Sequence, residues 1–306
     1  EFNAAYPSIG TNPLAQFWHE RLNYEGDQIR WGSSKEILWI IISALVAGFI
    51  AKLPAIFNIN EEYFYPRNIG FIIFPVLSVY FAWKNQLPAK KILMALGAML
   101  LGVCFINLFP FVDGSDTLVL SCIHLALFLW LILGFVFTGE KSNDISKRVD
   151  FLKFNGDLLI ITGLVVIAGG IMTGITIGLF SLIGFNIEDF YFENIVIFVL
   201  PAAPIIGTYL IQTNPSLVGK VSPVIARIFS PLVLVMLVIY LVAMVSSGKD
   251  PYKDREFLLI FNVLLIGVML IIFFSVAGSS TAPKNTIGTW VLFLLSIVTI
   301  LVNGIA

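Results

Sequence analysis

Nine long apolar runs make up most of this chain, and across all nine there is one formal charge, Lys52. The runs are residues 37–57, 69–83, 92–112, 117–138, 158–185, 195–213, 228–245, 257–277 and 287–306. A helix rising about 1.5 Å per residue needs about 20 mostly apolar residues to cross roughly 30 Å of hydrocarbon. The runs lack period-two alternation, which excludes a membrane β-barrel. The expected fold is therefore all-α: a polytopic transmembrane bundle of about nine spans. The second run is short at 15 residues and is expected to borrow residues 63–68 or to tilt less. The fifth is long at 28 residues and reads as a tilted helix or one that leaves the membrane. Lys52 sits near a span end, where its ammonium would snorkel to the headgroups.

Composition agrees. Hydrophobic residues are 58% of the 306 and charged residues 12%, against about 45–50% and a quarter in soluble domains. Eighteen Lys and Arg balance nineteen Asp and Glu, so no basic excess points to nucleic acid. Cys104 and Cys122 both fall in apolar runs, against a disulfide framework, and the two histidines, His19 and His124, are too few for a histidine-rich metal site. No metal or cofactor is expected.

The cations set an orientation. Thirteen of the eighteen fall on the side of the N-terminus and five on the other, whereas acidic residues divide nine to ten. Positive loops stay inside, so the N-terminus is expected on the cytoplasmic side. The segment 248–256, with Lys249, Lys253 and Arg255 among Asp250, Asp254 and Glu256, is the exception: either it is tolerated or a span upstream is miscounted, with 158–185 the place to look. The expected parts are a cytoplasmic segment 1–36, four spans over 37–138, a polar cytoplasmic linker 139–157 and five spans over 158–306. The chain opens at Glu1 without a signal peptide and closes on an apolar run, which reads as the N-terminal part of a longer protein. Within 1–36, Asn12 suits an N-cap and Pro13 a first turn, while Leu14, Phe17, Trp18 and Leu22 share one face. A short amphipathic helix lying on the membrane surface is expected, with His19 solvated.

Five features carry possible chemistry. Gly170, Gly174 and Gly178 recur at i, i+4, i+8, a smooth strip that reads as tight helix packing, with self-association and a hinge as alternatives. Pro201 and Pro204 should kink the sixth span. The third and fourth spans are joined by residues 113–116 and must form a hairpin, which places Cys104, Asn107, Ser121 and His124 at similar depth. An interhelical hydrogen-bond cluster is expected there, with a proton or substrate path through His124, or a soft-metal site with Cys104 and Cys122, as alternatives. Asn262 in the eighth span is expected to bond across helices. Outer loops carry Glu188, Asp189 and Glu193, and Lys249, Asp254, Arg255 and Glu256, read as an ion-paired surface or as a charged mouth. P-loop, HExxH and nucleophile-elbow signatures are missing, and no span holds Asp or Glu.

The stretch from Ile228 through Ser230-Pro231 to Tyr240, with Gly248-Lys249-Asp250-Pro251-Tyr252-Lys253-Asp254-Arg255-Glu256 and the run to Asn262, resembles a family of bacterial multi-pass membrane proteins known as domain of unknown function 4153. The likeness runs from about Ser34 to the end. It implies a bacterial inner-membrane protein, usually longer than this chain, and carries no activity or catalytic residues to transfer. The leading functional expectation is transport or handling of a small molecule or lipid. A structural, sensory or assembly subunit of a membrane complex is the alternative, and a membrane-embedded enzyme is less favoured. Expected partners are the bilayer and other membrane subunits or further copies of the chain.

Overall fold

The computed structural model describes residues 12–22, 33–110, 114–141, 144–214, 221–247, 255–277 and 286–305. These hold helices and turns and no strand. A short helix α1, Pro13–Leu22, precedes nine long ones: α2 Ser34–Phe57, α3 Glu61–Lys84, α4 Ala89–Leu108, α5 Asp116–Thr138, α6 Ile145–Leu182, α7 Glu188–Thr213, α8 Val221–Ser247, α9 Arg255–Ala277 and α10 Thr286–Ile305. Among the described residues, all nine are long and apolar enough to cross a membrane, the signature of an integral membrane protein. Asn12 caps α1 by accepting from the Leu14 N–H at 2.9 Å, and Leu14, Phe17 and Trp18 are exposed along it. The side chains of His19 and Leu22 lie outside the described residues. A capping box opens α2: the Ser33 hydroxyl accepts from the Glu36 N–H, and the Glu36 carboxylate accepts from the Ser33 N–H at 3.0 Å.

Three boundaries differ from the apolar runs, each for a local reason. The second span borrows residues 63–68, as its short run suggested, and begins two residues earlier still. Asn60 accepts from the N–H groups of Glu62 and Tyr63, so α3 begins at Glu61 and carries Arg67 into its span, as α2 carries Lys52. The stretch 139–157 is not a linker. Its described residues form a 3-10 turn, Gly139–Lys141, and the first turns of α6, which Asp144 caps at the Ser146 N–H. At 38 residues α6 is about 57 Å long, nearly twice the hydrocarbon thickness. Its charged residues hide an inner face: Phe151 and Phe154 are buried against Trp130, Phe137 and Phe81. The third difference is at 186–194, which is mostly not loop. Glu188 and Asp189 open α7 and Glu193 lies in a π-helical turn, Phe192–Val196. Helix α7 runs through both Pro201 and Pro204 without a break.

The apolar core forms two clusters. One gathers Ala47, Leu77, Phe81, Leu129, Ile161 and Leu210 from α2, α3, α5, α6 and α7. The other gathers Leu179, Leu237, Tyr240, Leu264, Leu295 and Val302 from α6, α8, α9 and α10. This division differs from four spans plus five, because α7 returns to the first group.

The glycine strip also differs. Gly170 and Gly174 are exposed, with open space where a Cβ would stand. Gly178 alone meets a neighbour, with Ile260 Cδ1 3.3 Å from an added Cβ. Close packing falls elsewhere, where α2 brings buried Ala47, Gly48 and Ala51 against α7 and the Phe198 ring lies directly over Gly48.

Candidate functional site

The polar residues of α3 and α4 meet at the C-terminal end of α4. A helix leaves its last carbonyls unpaired, and they carry partial negative charge. Arg67, only 2% exposed, is aimed at them. Its Nε donates to the Ile106 carbonyl at 3.2 Å and one terminal nitrogen donates to the Phe109 carbonyl at 3.3 Å. The other donates to Tyr63 of its own helix at 3.4 Å, and the guanidinium lies 4.0 Å from the Tyr63 ring centroid. The Tyr63 hydroxyl donates to the Asn107 carbonyl at 2.9 Å. Beside it, Asn68 and Asn107 exchange amide hydrogen bonds at 3.0 and 2.9 Å, and each also donates to a carbonyl four residues back in its own helix. Every one of these donors has an oxygen, as a group in hydrocarbon requires.

The cluster foreseen at the hairpin is therefore split. Asn107 turns to α3, not to α5. Ser121 donates to the Thr117 carbonyl at 2.7 Å and His124 Nδ1 lies 2.8 Å from the Leu120 carbonyl, both within α5. Cys104 is exposed and Cys122 half-buried, both as free thiols. Helical periodicity is the reason: the face of α5 that packs on α3 carries Leu125, Leu129 and Leu133, which leaves His124 pointing outward. Asn262 is likewise exposed on α9 rather than bonded across helices. Lys52 does more than reach for headgroups, since its ammonium donates to the Asn194 side chain in the π-helical turn of α7. Glu188, Asp189 and Glu193 are exposed. Lys249 and Asp254 lie outside the described residues, as do the side chains of Arg255 and Glu256. The one ion pair among described residues is Lys147–Asp150 at 3.3 Å.

Sequence reading lent residues 63–68 to the second span but gave Arg67 and Asn68 no role. The Asn60 cap signals where the helix starts, not which carbonyls its side chains meet.

Three grooves open on the helix surfaces. The first, about 310 Å³, lies between α6, α8 and α9 and is walled by residues including Met172, Ile175, Phe229, Met236, Val268 and Ile271, with Ser222 its one hydroxyl. The second, about 470 Å³, lies between α4 and α5 and holds Thr117, Ser121 and His124 among Gly102, Phe105 and Phe128. The third, about 310 Å³, lies between α5 and α6 and includes Trp130, Phe135, Phe151 and Arg148. All three have predominantly apolar walls. No group of three or more His, Cys, Asp or Glu is placed to hold a metal ion among the described residues. Comparison with family models, curated proteins and solved structures finds no match.

Proposed function

We propose that this integral membrane protein handles a lipid or lipid-like small molecule, which it takes up sideways from the bilayer. The observation that carries the reading is the groove between α6, α8 and α9: 310 Å³ falls at the lower end of ligand-site volumes, and its wall is almost wholly aliphatic, Met and Phe. Two methionines, Met172 and Met236, give the wall adaptable side chains that fit a flexible apolar ligand. His124 faces outward onto another groove, an arrangement that suits lateral binding better than a polar path along the bundle axis. The setting proposed is a bacterial cytoplasmic membrane with the N-terminus inside, supported by the cation asymmetry. The family resemblance agrees with that setting.

The test is native mass spectrometry of the protein released from lipid nanodiscs. The parent should retain a lipid-sized adduct. Gly267→Phe, which places a ring in the groove where a Cβ would now meet nothing within 4 Å, should lose it. An adduct retained equally by both proteins would refute the reading.

A second reading, a subunit of a membrane complex, is favoured by one observation. Gly170 and Gly174 present a smooth, exposed strip on α6, suited to close approach by another helix.

A further inference from the structure

The second groove has a hydrogen-bonding character of its own, and it follows from two short bonds. His124 Nδ1 is 2.8 Å from the Leu120 carbonyl. A carbonyl oxygen only accepts, so Nδ1 carries the proton and donates. In the neutral ring, Nε2 is then an acceptor, and it is the nitrogen left for the groove that His124 lines. Ser121 donates its single hydroxyl proton to the Thr117 carbonyl at 2.7 Å, so its oxygen also offers lone pairs alone. Thr117, Ser121 and His124 recur at i, i+4, i+7 and share a helix face.

Depth makes this informative. His124 stands eight residues after Asp116 in a 23-residue span, about 12 Å along the axis. At that depth water is scarce and acyl chains donate no hydrogen bonds, so an ionisable side chain facing lipid marks a functional site. The missing partner is a donor on an otherwise apolar molecule. Phe105 and Phe128 in the same wall favour a flat ring against them.

We propose that the α4–α5 groove binds a lipid-soluble phenol or hydroquinone, whose O–H donates to His124 Nε2 while its ring and tail lie in the groove. This extends the lateral-binding reading to a second groove and a defined ligand class, and its test leaves the first groove untouched.

The experiment measures equilibrium binding of a radiolabelled decyl-hydroquinone to the full chain in nanodiscs, beside its dimethyl ether, which keeps the ring and tail and lacks the donors. The hydroquinone should bind saturably and the ether at least tenfold more weakly. His124→Phe, a change on the exposed side of α5, should lose at least tenfold for the hydroquinone and leave the ether unchanged. Gly267→Phe should leave hydroquinone binding intact, which separates this site from the first groove. Equal binding of hydroquinone and ether overturns the proposal, as does undiminished binding by His124→Phe. Absence of saturable binding overturns it too, and so does loss of binding in Gly267→Phe. A photocrosslinker at position 128 that captures a second copy of the chain, in place of the hydroquinone, overturns it as well, because the groove is then an interface.

Discussion

Arg67 is a full charge held inside a membrane helix at 2% exposure, and what offsets its desolvation is a helix end. The terminal carbonyls of α4 are acceptors without intrahelical donors, and the aligned peptides place about half a negative charge there. One guanidinium serves Ile106 and Phe109 at once because its donors fan out in a plane. Arg67→Ala leaves both carbonyls short of a donor, at a cost of about 1–3 kcal/mol, the range for a buried polar group left unsatisfied. Arg67→Lys keeps the charge and loses the fork, so it should recover only part of that. Unfolding midpoints in mixed detergent micelles check both, and an alanine variant as stable as the parent would show that the cap contributes nothing. This residue also marks a limit of sequence reading. A window sum penalises Glu61, Glu62 and Arg67 and finds Pro66, so the turn reads as a loop. The partners that make the charge tolerable lie about 40 residues away on α4, and no local pattern reports them.

Among elements, the same gap separates the glycines that look important from those that are. The i, i+4, i+8 strip of α6 is conspicuous in sequence, yet two of its three members stand beside open space. Gly48 belongs to no glycine motif, yet its flank is filled by the Phe198 ring where α2 crosses α7. Periodicity says which residues share a face; it does not say which face finds a neighbour. That is why nine spans were legible from apolar length alone while helix partners were not. Gly48→Leu should destabilise the protein by about 1–3 kcal/mol through overpacking, more than the helix propensity gained by losing a glycine. Phe198→Ala in the same chain should restore part of the loss, a coupling readable from a double-mutant cycle. Gly174→Leu should change the stability of the isolated chain by no more than about 0.5 kcal/mol. If detergent denaturation ranked the two glycines the other way round, this assignment of the tight seam would be wrong.

At the scale of the molecule, α6 serves both cores, as α8 does: its Phe151, Phe154, Ile161 and Val165 join the first cluster, and its Leu179 and Leu182 the second. Its continuity also bears on topology. The basic segment 248–256 contradicts the positive-inside pattern unless a span upstream was miscounted, and the ambiguous place was 158–185. One unbroken helix over Ile145–Leu182 accounts for one candidate crossing there, so the span parity that the proposed topology assumes is unchanged. On the proposed topology the segment 248–256 then falls opposite the N-terminus as a tolerated exception, its three cations offset by Asp250, Asp254 and Glu256. Such exceptions are permitted because the rule rests on the summed bias of many short loops, here thirteen cations against five. Two single-cysteine reporters, made in a chain with Cys104 and Cys122 replaced by serine, test the arrangement directly. Asn186→Cys, between α6 and α7, should react with a membrane-impermeant maleimide on intact spheroplasts. Ser146→Cys, at the other end of α6, should react only once the membrane is opened. The reverse pattern would invert the protein, and labelling of both from one side would mean that α6 does not cross.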